Sequence, residues 1–340
     1  MSATIVQVLP RLDAFGVANH ARRLAAGLER ATGMRSSFVT TAVDSAPLPA
    51  GDVRVVPARS SALARELARS NGSPVLLHYS NYGYQKRGCP TWLLAGVAGW
   101  RRRTSRGRLI TIFHELYATG RPWQSSFWLS PLQRRLARRM RSYADVTVTS
   151  LPRYRTELAR WRDAQVTELP VFSTIGEPAQ SVPLAARRPR LVVFGSAGLR
   201  SRAYRTGSAA IARAAAATDV TEVLDIGGGN VAPPRVANLP VRAIGEQSDA
   251  TISELLADSR VGFLAYPADF LGKSTVFAAY CAHRLLPAVW WRRAAEHPAP
   301  RWNADRPLQE DVQALADRAL AWYAPHALAR QVDLYASLIR

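Results

Sequence analysis

Lysine is almost missing from this chain. Of 45 basic residues only Lys86 and Lys273 are lysine, which leaves 43 arginines. Arginine offers a planar fork and lysine a compact point charge suited to phosphate, so a lysine kept in an arginine-rich sequence marks its place. Cysteine is scarce as well. Cys89 and Cys281 lie far apart with no partner at metal-ligand spacing, so neither a disulfide framework nor a metal site is expected, and the compartment reads as cytoplasmic. No apolar run approaches the roughly 18 residues of a membrane-crossing helix. The first ten residues lack the basic start and apolar stretch of a secretory leader. Any membrane contact would therefore be peripheral, on the inner face of the cell membrane.

Acidic residues are also in deficit, 25 against 45 basic ones, for a net charge of +20. That excess suits an anionic partner, whether nucleic acid, an anionic membrane surface or a phosphorylated substrate. Basic and aromatic residues cluster on helical segments rather than in a recognised RNA or DNA module, so nucleic acid is not expected. Hydrophobic residues at 48% and charged residues at 21%, with no low-complexity tract, describe a folded protein. At 340 residues the chain exceeds what one core supports, and two domains are expected.

Short apolar runs alternate with helical patterns from the start, the signature of βαβ units around a parallel sheet. Strands are predicted at 5–9, 37–41, 53–57, 75–79, 109–114 and 146–149, and helices at 17–31, 62–69, 92–103 and 131–143. Gly176, Pro178, Pro183 and Pro189 break the pattern, and residues 173–189 read as a linker. The cycle restarts with strands at 191–196, 222–226, 241–245 and 261–266 and helices at 203–216, 248–258 and 274–284. Helices at 308–323 and 326–339 close the chain. The expected architecture is α/β, two Rossmann-like doubly wound domains facing a cleft. The first spans residues 1–172 and the second 190–325, with residues 326–340 crossing back to the first. Ligands in such sheets bind at the carboxyl ends of the strands.

Five segments carry candidate chemistry. Gly16 follows the first strand, where backbone can approach a ligand. His114 and Glu115 end an apolar strand as acid, base or hydrogen-bond partners. Side chains alternate along a strand, so both face one way only if the strand has already ended. Gly195, Ser196, Arg200 and Arg202 open the second domain and suit a diphosphate. Gly227-Gly228-Gly229 fails the dinucleotide spacing, because Ala232 stands where a third glycine is needed. Finally, Asp269 through Lys273, Ser274 and Thr275 precedes a helix whose N-terminus favours phosphate. A Walker A loop is excluded there, since Pro267 occupies its first glycine position.

These residues give the chain a resemblance to GT-B glycosyltransferases of the sugar-nucleotide-dependent family 4 type. Phe15-Gly16 resembles that family's first glycine loop, Phe113-His114-Glu115 its strand-end histidine, the strand through Ser150 the one before its interdomain region, and Val193-Phe194-Gly195 the start of its donor domain. Ser196 stands where the family has an arginine, and Arg200 lies near its lysine. Asp269 and Phe277 occupy the places of two glutamates, so the second acid is absent and Lys273 falls between the two positions.

The resemblance implies sugar transfer from a nucleotide-diphosphate sugar, without bound metal or other cofactor. The acceptor would be a saccharide or polyprenyl-diphosphate-linked saccharide, as in bacterial surface-polysaccharide synthesis. Lys273, Ser274, Thr275 and Arg200 would hold the leaving diphosphate and His114 would face the reacting sugar. Glu115 would be the base if configuration inverts, and none is needed if it is retained. Aromatic and basic runs from Trp92 to Arg103 and from Trp123 to Arg141 would meet an anionic membrane. The alternatives are a degenerate GT-B module that binds without turnover and a nucleotide-sugar epimerase using Asp225 and Asp269.

Overall fold

The structure is a computed structural model that describes residues 4–12, 16–43, 52–104, 107–162, 164–292 and 297–339. Two compact units emerge, Met1–Pro170 with Leu328–Arg340, and Val171–Ala327.

The first unit is a seven-stranded parallel sheet of β1 (Thr4–Val8), β2 (Arg35–Thr40), β3 (Val53–Val55), β4 (Val75–Tyr79), β5 (Leu109–Phe113), β6 (Val146–Thr149) and β7 (Val166–Glu168). Their spatial order is β3-β2-β1-β4-β5-β6-β7. Helices α1 (Gly16–Thr32), α2 (Ser60–Arg69), α3 (Asn81–Tyr84), α4 (Thr91–Arg103), α5 (Ser125–Tyr143) and α6 (Pro152–Trp161) connect them. β4 and β5 are buried at every residue, so their apolar runs are continuous, as strands covered on both faces require. α1 turns Ala18, Ala21, Leu24, Ala25 and Leu28 inward, a helical period of three and four residues that makes one apolar stripe.

The second unit repeats the plan with β8 (Arg188–Phe194), β9 (Glu222–Ile226), β10 (Arg235–Val236), β11 (Leu239–Ala243), β12 (Ser259–Ala265), β13 (Leu286–Trp290) and β14 (Trp302–Asn303). The order is β10-β11-β9-β8-β12-β13-β14, parallel except for the β10–β11 hairpin. Its helices are α7 (Ala197–Ala217), α8 (Asp249–Ala257), α9 (Thr275–Ala282) and α10 (Val312–Tyr323). Gly262 of β12 has no room for a side chain, because a Cβ there would fall on the ring of buried Tyr280 from α9. That close approach presses α9, and the loop before it, onto the sheet.

The stretch read as a linker starts inside the second unit's packing. Phe172, Ser173, Thr174 and Ile175 are buried, and the Ser173 N–H donates to the Tyr323 hydroxyl at 2.8 Å. The Val171 N–H donates to the Gly272 carbonyl at 2.8 Å. The final helix, α11 (Leu328–Ile339), belongs to the first unit. There Val332 fills the space left by Gly27 of α1, and the Gln331 side-chain amide donates to the Pro170 carbonyl at 2.7 Å.

In both sheets the chain winds one way and then the other from a central pair, β1 with β4 and β8 with β12. Loops leaving the carboxyl ends of such a pair diverge and open a crevice between them. Gly16, Gly195, Ser196 and the segment from Asp269 to Ser274 follow β1, β8 and β12, while His114 and Glu115 follow the adjacent β5 and Arg200 and Arg202 lie within α7.

Candidate functional site

In the first unit the crevice beyond β1 and β4 is a cavity of about 520 Å³ whose wall includes Arg11, Gly16, Thr41, Ser80, Tyr82 and Gly83. Gly16 has φ +54°, the left-handed region that glycine enters without strain, and it starts α1. The preceding Asp13, Ala14 and Phe15 of the predicted loop lie outside the described residues. β5 ends at Phe113 rather than His114. Strand alternation therefore no longer separates His114 from Glu115, and both backbone N–H groups turn to the Tyr79 carbonyl, at 2.9 and 3.4 Å. The Ser80 hydroxyl donates to Glu115 Oε2 at 3.1 Å, which places this carboxylate beside the cavity wall. His114 Nε2 lies 3.2 Å from His78 Nδ1.

Sequence reasoning missed His78, and with it Gln7. Both are fully buried in the middle of strands. The signal was available: an imidazole and a carboxamide inside apolar runs must find partners or stay outside the sheet.

In the second unit, Gly195 (φ +125°) ends β8 and lies against the start of α9, where a Cβ would come within 3.1 Å of Val276 Cγ2. Ser196 caps α7, its hydroxyl accepting from the Leu199 N–H at 3.5 Å. On the far side of the crevice, Ala268–Lys273 forms a 3-10 turn after β12. Ser274 is buried and caps α9 by accepting from the Phe277 N–H at 3.2 Å. Half-buried Thr275 begins that helix. The Lys273 ammonium sits 4.9 Å from the Phe270 ring centroid, a cation–π contact that steadies its stem. Gly195 and the start of α9 thus meet where β8 and β12 diverge, with Lys273, Ser274 and Thr275 leading into that helix. Asp269 lies on the same turn as Lys273.

Arg200 departs from its expected role. Its side chain is 1% exposed and its guanidinium is taken up by protein acceptors. Nε donates to the Gly195 carbonyl at 3.0 Å, Nη1 pairs with Asp225, and Nη2 donates to the carbonyls of Gly228 and Gly229. Arg200 therefore ties the Gly195 loop to the Gly227–Gly229 loop and shapes the crevice from behind. Arg202 stacks on Trp291, 5.4 Å from the ring centroid. Where the resemblance places a second carboxylate, Phe277 is buried edge-on to Trp322, with centroids 5.6 Å apart.

The two aromatic and basic runs separate. Trp100 is core at 1% exposure, and Arg101 beside it stacks on its ring and pairs with Asp145, whereas Arg102 and Arg103 of the same run are exposed. Trp123 and Trp128 are 75% and 72% exposed, and Phe127 is exposed with them. Farther along α5, Arg135, Arg138 and Arg139 share a cavity of about 280 Å³ with Trp161 and Arg162.

No protein-family model matches the sequence, and no curated protein matches it. Solved structures match over nearly the whole length. WaaG, a glycosyltransferase involved in lipopolysaccharide biosynthesis, superposes with a TM-score of 0.58 at 12% identity, covering 98% of this chain and 99% of its own. The chain has the GT-B fold. A putative UDP-N-acetylglucosamine 2-epimerase from Listeria monocytogenes shares it, with a TM-score of 0.59 at 12% identity and 100% and 96% coverage. So does an alpha-glucosyltransferase in complex with UDP and DNA, with a TM-score of 0.52 at 11% identity and 100% and 95% coverage.

Proposed function

We propose that this protein transfers a sugar from a nucleotide-diphosphate sugar to a saccharide or polyprenyl-diphosphate-linked saccharide, as a metal-independent glycosyltransferase of surface-glycan assembly. One observation carries the reading: Gly195, just past β8, lies against the start of α9, the helix that Lys273, Ser274 and Thr275 lead into, at the β8–β12 switch point. As the glycosidic bond breaks, charge collects on the departing diphosphate. Fixed N–H donors and one ammonium in that place stabilise the charge without reorganising. In the first unit His114 is assigned to the reacting sugar. Glu115 is assigned as base should the product be inverted, and a product of retained configuration removes that role.

Epimerisation fits less well. It needs mobile acids and bases, yet Asp225 is 1% exposed and held by Arg200 and by the Tyr204 hydroxyl at 2.7 Å, which leaves Asp269 as the remaining second-unit candidate.

A panel of UDP-, GDP- and dTDP-sugars, read by thermal shift and by slow donor hydrolysis in EDTA, tests the proposal. One donor should bind and be hydrolysed. Lys273→Ala should lower that kcat by about 10²-fold, the effect of removing one donor to a developing oxyanion. Binding without turnover, with lipid-linked acceptors supplied, makes the protein a degenerate module. No binding to any nucleotide sugar rejects the function.

The acceptor side is proposed to meet an anionic membrane through Trp123, Phe127 and Trp128, with Arg135, Arg138 and Arg139 behind them. Aromatic rings suit the headgroup layer, and each basic residue near it adds about 1 kcal/mol. Flotation with anionic vesicles should fall roughly 30-fold in partition coefficient when Arg138 and Arg139 are both changed to Gln. Unchanged flotation would reject this surface.

A further inference from the structure

Helices α5 and α6 carry a cavity that sugar transfer does not use. It holds about 280 Å³ and is lined by Arg135, Arg138, Arg139 and Ser142 of α5, by Trp161 at the end of α6 and by Arg162 just past it. The α5 residues stand at i, i+3, i+4 and i+7, so they make one stripe along the helix. α5 ends at Tyr143 and β6 begins at Val146, while α6 ends at Trp161 and β7 begins at Val166. The cavity therefore lies toward the amino ends of β6 and β7, and the crevice beyond β1 and β4 opens at the carboxyl ends of the same sheet.

Four guanidiniums share this space, and among the described residues no carboxylate lines it. α5 has no acidic residue, and Glu157, the one acid of α6, pairs with Arg134. Arg135 precedes Arg138 and Arg139 by three and four positions, the spacings at which like charges destabilise a helix. The helix dipole favours a cation in the last turn, which accounts for Arg141 but not for Arg135 or Arg138 before it. Behind the stripe, Arg141 is 1% exposed, and burial and then the charge of Arg162 hold it below the ordinary arginine range. Arg141 Nη2 donates to the Ala164 carbonyl at 3.1 Å and Arg162 Nη1 to the Ala144 carbonyl at 3.0 Å. The carbonyls just past the two helix ends are thus turned to guanidiniums, and positive charge is concentrated at the cavity with nothing in the protein to offset it.

We propose that Arg135, Arg138, Arg139 and Arg162 bind a phosphate monoester in this cavity, with the Trp161 ring as the apolar wall for the group it is esterified to. Guanidinium forks match tetrahedral phosphate oxygens in pairs, and a monoester dianion offsets more of the charge than a carboxylate does. The volume is roughly nine times the share of one water, which admits a phosphate and part of its ester group. A soluble organic phosphate and a lipid headgroup present the same chemistry here. The site goes beyond the attraction of α5 to an anionic membrane: that attraction follows surface charge, whereas this cavity tells a monoester from a diester of equal charge. It does not depend on the transferase reading.

Two measurements on the full chain test it: calorimetric titration with glycerol 3-phosphate, and flotation with phosphatidylcholine vesicles that carry phosphatidic acid or phosphatidylglycerol at equal surface charge. Saturable one-to-one binding of glycerol 3-phosphate identifies a soluble ester. Flotation about 10-fold stronger on phosphatidic acid than on phosphatidylglycerol identifies a headgroup. Arg162→Gln, and Arg138→Lys with Arg139→Lys, which keeps the charge but removes the forks, should each weaken the observed binding by about 10- to 100-fold, the loss of hydrogen bonds to a charged group. Arg102→Gln with Arg103→Gln, a larger loss of charge at exposed positions of α4, should not, and neither should Lys273→Ala. Arg135, Arg138, Arg139 and Arg162 are exposed, and relief of their repulsion should leave these variants melting no lower than wild type. No binding of glycerol 3-phosphate together with equal flotation on the two vesicles overturns the proposal. So does binding that survives both the Arg162 and the lysine variants, or binding lost in Lys273→Ala instead, which places the ester in the second unit. A nucleotide-sugar panel with no hit rejects the transferase reading and leaves these outcomes unchanged.

Discussion

Changing Asp225 to Asn should lower the stability of the second unit by about 3–5 kcal/mol, the largest effect expected of any single conservative substitution in this chain. Asp225 and Arg200 are each 1% exposed. Removing the carboxylate leaves a guanidinium buried without a counter-ion, and desolvation of that charge dominates the loss. The Tyr204 hydroxyl, which donates to Asp225 Oδ2 at 2.7 Å, faces an uncharged amide instead. Thermal unfolding should move down on the order of 10 °C. The double variant Arg200→Met/Asp225→Leu should regain most of that stability, because an apolar pair of similar volume removes both desolvation penalties. It should not regain donor binding. The carbonyls of Gly195, Gly228 and Gly229 lose the guanidinium that ties the two loops together, so the crevice loses its shape while the unit stays folded. An Asp225→Asn protein as stable as wild type would show that the pair does not hold the unit together. A double variant with normal donor affinity would show that Arg200 does not build the site.

The same pair marks how far the sequence could be read. The apolar runs and their turn punctuation predict two α/β halves, because parallel strands buried on both faces leave that pattern wherever they occur. They do not show which arginine faces a ligand. Arg200 and Asp225 lie 25 positions apart and meet because Val193 of β8 pairs with Asp225 of β9, a register that local pattern does not carry. Gln7, His78 and His114 are joined across 71 and 36 positions in the same way.

Boundaries shifted for chemical reasons. The helix expected from residue 131 begins at Ser125 and carries Pro131 inside it, where the proline lacks only the N–H that would reach residue 127. The helix expected from residue 203 begins at Ala197, because Ser196 caps it and Gly198 is tolerated in its first turn. β13 was not predicted, and it carries Pro287, a residue unusual in a central strand. Pro287 is accommodated because pairing with β14 begins only at Ala288.

Acid should unfold this protein far sooner than its excess of arginine suggests. His20, His283 and His326 are 4%, 0% and 5% exposed, and burial pushes each down to about 4. For His283 the nearby Arg187 adds to burial, against the opposing hydrogen bond to the Ala279 carbonyl. In the unfolded chain these imidazoles take up a proton near the ordinary value of about 6.5. Between those values the unfolded state holds more protons than the folded one, so stability falls as pH falls through that window. Above about pH 7 both states are neutral and the effect vanishes. At pH 5 each such histidine removes about 2 kcal/mol: His20 from the first unit, before His78 adds its own share, and His283 and His326 together about 4 kcal/mol from the second. Domains of this size have only about 5–15 kcal/mol to lose. Urea unfolding at pH 7, 6 and 5 should therefore show a steep decline, and His20→Leu, which removes one titrating ring from the first unit, should shrink the pH 7-to-5 difference by about 2 kcal/mol. Stability that stays level from pH 7 to pH 5 would mean that these rings take up protons as readily in the folded state as in the unfolded chain, with solvent reaching the cluster that carries the His78–His114 hydrogen bond.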